Sequence, residues 1–250
     1  MKLYVNKPNV VAGITLKQTE YAESNNMALH VSEKREDVIE NRLRLAHTLE
    51  QPLETFVCAE QTHSANVYKV TKQDRGRGTT NQQNAIPNTD ALYTRESGIV
   101  LCTFTADCVP VFFYNEKSKI IGVIHSGWSG TIQEITPKTL QHISEQESCC
   151  ITDFYIKIGT ALSQNRFEVD EDVFVLFDGL GYATPFIQFN EETTKYHIDN
   201  QRVIETQCER IGIPKDNITI DNTCTYDSEY GFSYREDHQS GRHMGFIFQK

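Results

Sequence analysis

The sequence predicts a single α+β domain over residues 1–250, built on mixed β-sheet. Three observations lead there. Strand-like segments outnumber helical ones, and they come in runs instead of alternating strictly with helices. The 250-residue chain fits one domain at the upper end of the usual size range. It also holds no internal repeat and no low-complexity stretch.

The first helix is expected over residues 32–50, where Ile39, Leu43, Ala46 and Leu49 recur at helical spacing and Pro52 supplies a stop. A second follows Gly130, with Ile132, Ile135, Leu140 and Ile143 on one side. Pro137 there must either kink the helix or open a new first turn. Residues 170–180 and 199–211 read as the third and fourth helices, the last stopped by Gly212 and Pro214. Strands are expected over residues 55–59, 66–70, 89–94, 99–104, 109–114, 120–125, 154–158, 218–222, 232–235 and 244–248, short runs rich in β-branched and aromatic side chains. Between the second and third of these, residues 73–88 are rich in Gly, Thr, Asn and Gln, and read as a long, mobile surface loop.

A formal charge of −10 argues against nucleic acid and anionic membranes as partners, because both attract clustered Lys and Arg. A small anionic substrate held by a few local arginines stays compatible. The amino-terminal segment has no apolar signal region, and no apolar run is long enough to span a bilayer. Seven cysteines, with Cys149 and Cys150 adjacent, favour reduced thiols and a cytoplasmic protein over a disulfide framework.

Three side chains able to bind a metal sit at the ends or turns of predicted strands: His63, Cys108 and His125. Taken singly, each is compatible with a hydrogen-bonded histidine or a small buried cysteine. Their surroundings add weight to chemistry. His125 closes an apolar strand and is followed by Ser-Gly-Trp-Ser-Gly, and Asp107 precedes Cys108. Two chemistries fit these residue types: a metal centre, or a cysteine nucleophile with His125 or His63 as base.

The segments QTHSANV (61–67), TDAL (89–92), TADCVPV (105–111), GVIHSGWSGT (122–131), IGTAL (158–162), FEVDEDV (167–173), NTCTY (222–226) and FSYREDHQSGRHMGFI (232–247) resemble, in order, those of the YfiH-like family. Its members are variously called polyphenol oxidase or laccase-domain proteins, purine nucleoside phosphorylases and peptidoglycan editing factors. The resemblance implies an α/β/β/α layered sandwich and one zinc ion per chain on His63, Cys108 and His125, with a fourth position open. It further implies phosphorolysis of adenosine, inosine and methylthioadenosine, and adenosine deamination at the same site. Asp107 is the candidate proton carrier, and Arg235 and Arg242 are the candidate phosphate holders.

Two departures stand out: Ser129 and Glu236 occupy positions where the family usually carries arginine. If those arginines grip an anion, this chain holds phosphate less tightly or relies on Arg235 and Arg242. Copper-dependent polyphenol oxidation fits poorly, because the eight histidines form no His-x-His pairs. A metal-independent cysteine hydrolase using Cys108 and His125, and a zinc-stabilised module that binds cell-wall precursors, stand as alternatives.

Overall fold

The computed structural model describes residues 1–250. The chain opens with β1 (Lys2–Asn6) and β2 (Val10–Ile14), followed by α1 (Arg35–Leu49), β3 (Phe56–Val57), β4 (Val67–Lys69) and β5 (Ala91–Thr94). The central stretch holds β6 (Val100–Thr105), β7 (Val109–Asn115), β8 (Ile120–Ser126), α2 (Trp128–Ile132), α3 (Ile135–Gln146) and β9 (Tyr155–Ile158). Then come β10 (Glu168–Val169), α4 (Glu171–Asp178), β11 (Ile187–Asn190), β12 (Lys195–Ile198), α5 (Asn200–Arg210), β13 (Ile218–Ile220) and β14 (His243–Gln249).

Two mixed sheets stack face to face. One has the order β1-β2-β14-β6-β3 and the other β13-β9-β7-β8-β5-β4. Their shared layer includes Ala12, Leu101 and Ile247 from the first sheet and Leu92, Phe112 and Val123 from the second. The alternate residues of the same strands face outward onto helices. Cys102, Phe104 and Phe246 meet Leu45, Ala46 and Leu49 of α1, while Val111, Phe113 and Ile124 meet Leu140 of α3 and Ile204 of α5. The layering is therefore α/β/β/α, with a small β10-β12-β11 sheet and α4 at one side. Strands covered on both faces read as unbroken apolar runs, since neither side meets water. All seven residues of β7 and of β8 are buried.

Three local readings change and one open choice is decided. Residues 232–235 form no strand, because the Phe232 amide donates to the His243 imidazole instead of to a neighbouring strand. Residues 73–88 are anchored: Asp74, Thr79 and Ile86 are buried, and the Arg42 guanidinium donates to the carbonyls of Gly78 and Thr79. On α1 the buried stripe is Val38, Asn41, Arg42 and Leu45, while Leu43 is exposed. The two polar members of that stripe, Asn41 and Arg42, are satisfied by the carbonyls of Ala22, Asn26 and Met27. Pro137 does not kink a helix; the chain breaks at Glu134, whose φ is 59°, and α3 starts afresh with the proline in its first turn. No helix is long and apolar enough to cross a membrane.

Candidate metal centre and its cavity

The three residues far apart in sequence meet through strand pairing. Cys108 immediately precedes β7, and the antiparallel return of β8 sets His125 opposite Pro110. β5 pairs with the other side of β8, Ala91 against Ile124, which brings Asp90 alongside His125. The Asp90 carboxylate then draws in the third residue. It accepts from the backbone amides of Thr62, His63 and Ser64 at 3.1, 3.1 and 2.8 Å and from the Ser64 hydroxyl at 2.7 Å. His63 is held in the left-handed region, φ 59°, a conformation that costs a non-glycine residue about 1 kcal/mol or more. The amide bonds to Asp90 provide the compensation, as do Gln133 Nε2 and the Ser129 hydroxyl, which donate to the His63 carbonyl.

The donor atoms of His63, Cys108 and His125 lie within 4.8 Å of one another, and Cys108 Sγ is 3.8 Å from His63 Nε2. Asp90 Oδ1 accepts from His125 Nδ1 at 2.8 Å, which fixes the tautomer and turns Nε2 toward the cluster. Gly127 makes room for it: a Cβ there would stand 2.8 Å from His63 Cδ2 and 3.0 Å from Cys108 Sγ. Two imidazoles and a thiolate suit a divalent metal of intermediate softness, so the donor set fits a single ion. Burial pushes the Cys108 thiol up, but the His125 and His63 imidazoles outweigh it and bring it down to about 6. Burial likewise works against a charged His125, yet Cys108 and Asp90 hold it up at about 9. The thiol is thus ready to ionise, as a metal ligand must be.

The cluster lies in the wall of a cavity of 740 Å³. Its lining includes Leu29, Cys58, Ala85, Phe104, the buried Arg42, Trp128, Leu162, Phe167 and Asn200. Asp107, Tyr234, Arg235, His238 and Arg242 line it as well. Of the residues expected from sequence, Asp107, Arg235 and Arg242 all reach this cavity. Asp107 is more engaged than expected: Thr225 Oγ1 donates to its Oδ1 at 2.6 Å and the Arg235 amide to its Oδ2 at 2.7 Å. Arg235 Nη1 donates to the Glu168 carbonyl, and Arg242 Nη1 to the carbonyls of Ser240 and Gly241. Ser129 and Glu236 do not line the cavity, and Ser129 serves the His63 loop. Sequence reasoning passed over Asp90, Gln133, Trp128, His238 and Asn200. Asp90, Trp128 and His238 lie within the motif segments 89–92, 122–131 and 232–247, whereas Gln133 and Asn200 carried no signal.

Stacked sheets between helices, with one thiol and two imidazoles converging in a deep cavity, define a protein with a candidate single-metal site for small molecules. The chain belongs to the family described as multi-copper polyphenol oxidoreductase laccase, whose model matches residues 13–250. It is 36% identical over 244 residues to purine nucleoside phosphorylase YlmD of Geobacillus stearothermophilus, covering 95% of this chain and 89% of that protein. It is 32% identical to the Bacillus subtilis protein of the same name, over 98% and 90% of the two chains. Among solved structures, YfiH of Bacillus licheniformis superposes with a TM-score of 0.92 at 29% identity, over 99% of both chains. YlmD from Geobacillus stearothermophilus gives 0.91 at 34%, over 96% of this chain and 92% of that one.

Proposed function

We propose that the protein is a zinc-dependent purine nucleoside phosphorylase that cleaves adenosine, inosine and methylthioadenosine to free base and a ribose 1-phosphate, and that also deaminates adenosine. The observation that carries this reading is the placement of the His63, Cys108 and His125 donors within 4.8 Å in a cavity that Arg235 and Arg242 also line. The names of the relatives support its phosphorylase part. A zinc ion held by His63, Cys108 and His125 would supply Lewis acidity.

The chain's own residues account for the rest. Phosphorolysis breaks the bond between C1′ and the base nitrogen, forms a bond from a phosphate oxygen to C1′, and returns the electron pair and a proton to the base. Arg235 and Arg242 are the phosphate holders, because charge-assisted donors both place the oxyanion and stabilise it. Asp107 is the positioning residue for Arg235, through its bond to the Arg235 amide. In deamination, where water attacks C6, Asp107 is the carboxylate beside Cys108 that carries protons. A cytoplasmic location is part of this reading.

A second reading has its own support: the Cys108 thiol brought to about 6 beside His125 matches an activated nucleophile. Polyphenol oxidation draws less support, since His63, Cys108 and His125 are the single group of three or more converging donors and multi-copper chemistry needs several. A cell-wall-precursor binding role requires no open coordination position. One experiment separates them: adenosine with and without phosphate, products resolved, on protein of measured zinc content. Phosphate-dependent release of adenine that tracks zinc content supports the phosphorylase. Turnover of an ester or amide substrate by zinc-free protein, abolished by thiol alkylation, supports the hydrolase.

A further inference from the structure

Four histidines line the cavity, and three of them are occupied. His63 and His125 are candidate metal ligands, and the His238 ring lies against that of Tyr234, their centroids 4.5 Å apart. His30 is the fourth. It is exposed at the cavity and makes no hydrogen bond or salt bridge with the protein. Its place is fixed by the chain around it, since it sits in the 3₁₀ turn Leu29–Val31. Just before that turn, Asn26 Oδ1 accepts from the amides of Ala28 and Arg242 at 3.0 and 2.9 Å. The Met27 amide in turn donates to the Arg242 carbonyl at 3.0 Å. The turn is thereby stitched to the segment that carries Arg242.

The charges around His30 are all of one sign. Arg42, Arg235 and Arg242 line the cavity, and the arginines engaged in salt bridges are others: Arg77, Arg95, Arg166 and Arg202. Burial, then the positive charges of Arg242, Arg42 and His125, push the His30 pKa down to about 4, with no carboxylate acting against them. Of the cavity's acidic residues, Asp107 acts on Arg242 instead, together with Cys108. The His30 imidazole is therefore neutral and offers one N–H and one lone pair. A point whose charged neighbours are all cations attracts an anion, in a chain whose net charge of −10 otherwise repels one. The two arginines nearest it have different tasks. Arg42 spends its donors on the carbonyls of Met27, Gly78 and Thr79, so it contributes charge. Arg242 gives Nη1 to the carbonyls of Ser240 and Gly241, which leaves Nε and Nη2 free for a ligand.

We infer that His30 is a phosphate-binding residue, its imidazole N–H donating to a phosphate oxygen that Arg242 also holds through Nε or Nη2. This rests on the phosphorylase reading above. The second ring nitrogen can accept the hydroxyl of hydrogen phosphate, a contact that neither arginine can make because a guanidinium only donates. A neutral purine base would gain nothing from the surrounding positive charge, whereas an oxyanion gains from all of it.

The test uses the full-length zinc-loaded protein with His30→Ala, His30→Leu and His30→Gln, thermal melts establishing that each is folded. Calorimetry measures binding of inorganic phosphate alone and of adenosine in phosphate-free buffer, and zinc content is measured alongside. His30→Ala and His30→Leu, which both remove the donor while leucine keeps the bulk, should weaken phosphate binding roughly 10- to 100-fold, the range for one hydrogen bond to a charged group. His30→Gln keeps an N–H and should recover most of the loss. Adenosine binding and zinc content should not change. Unchanged phosphate binding in the alanine and leucine variants overturns the inference. So do losses of adenosine binding equal to or greater than those of phosphate, or a wild type that binds no phosphate. If phosphate binding alone falls in these variants while the wild type cleaves no nucleoside, His30 stands as an anion-binding residue and the phosphorylase reading falls.

Discussion

Asp90 Oδ1 lies 2.8 Å from His125 Nδ1, and the same carboxylate gathers three consecutive backbone amides of the segment that carries His63. One buried side chain, 3% exposed, therefore positions two of the three candidate metal ligands. Burial alone pushes its pKa up, but the His125 contacts and the Ser64 hydrogen bonds hold it below the usual carboxylate range.

Replacing Asp90 is expected to weaken metal binding without touching a ligand. Asp90→Asn should lower zinc affinity about 10- to 100-fold, the usual effect of losing an outer partner of a ligating histidine. Competition with a chromophoric chelator measures it, and an unchanged affinity would show that His125 is oriented by packing alone.

About one tightly held zinc per chain is expected, lost in His63→Ala, Cys108→Ala and His125→Ala, with elemental analysis as the readout. Gly127→Ala probes the same site from its backbone. Its φ of −68° suits alanine, so the added methyl acts only by pressing on His63 and Cys108. Zinc content should fall while the melting temperature moves little. A variant with full zinc would mean that the cluster yields around the methyl.

Much of this site could be read from sequence and some could not, for physical reasons. Segments 109–114 and 120–125 are separated by five residues, so pairing them as a hairpin already sets Cys108 near His125. The tie from Asp90 to His125 is tertiary, and a Thr-Asp pair before a strand gives no hint of it. Strands β11 and β12 were missed because they are half-exposed and mixed in polarity, IQFN and KYHI. The apolar β2 was missed because it is short, carries Gly13, and finds its central place only by pairing with β14 at the far end of the chain. Segment 73–88 looked loose because its anchor, the Arg42 guanidinium, comes from a helix whose apolar spacing suggested a different inward face.

That anchor carries its own expectation. Arg42 is 1% exposed and donates to the carbonyls of Met27, Gly78 and Thr79. Arg42→Met keeps most of the apolar stem but leaves three buried carbonyls without donors, a loss of at least about 3 kcal/mol. Urea unfolding checks the magnitude. Limited proteolysis checks the mechanism: the wild type should resist cleavage within residues 73–88, and the variant should be cut there first. Cleavage of the wild type in that segment would return it to the status of a loose loop.

His243 contributes a pH dependence to stability. The side chain is 1% exposed at the start of β14; its Nδ1 donates to the Thr15 carbonyl at 2.7 Å, and its Nε2 accepts from the Phe232 amide at 2.7 Å. Both ring nitrogens are thus used in the neutral form, and a second proton would face an N–H donor. Burial accordingly lowers its pKa to about 4. The sign follows from linkage: an unfolded histidine takes up its proton near pH 6.5, whereas the folded one refuses it until about pH 4. The contribution of neutral His243 is fully present above pH 6.5 and is lost progressively as the pH falls toward 4, by about 3 kcal/mol in all. The buried Asp90 and the half-buried Asp221 titrate in the acid range too, so the comparison must be made against a variant. His243→Gln should be less stable than wild type at pH 7.5, and the gap should narrow steadily between pH 6.5 and 4 in chemical denaturation. A gap that stays constant across that window would mean that His243 titrates alike in the folded and unfolded chain.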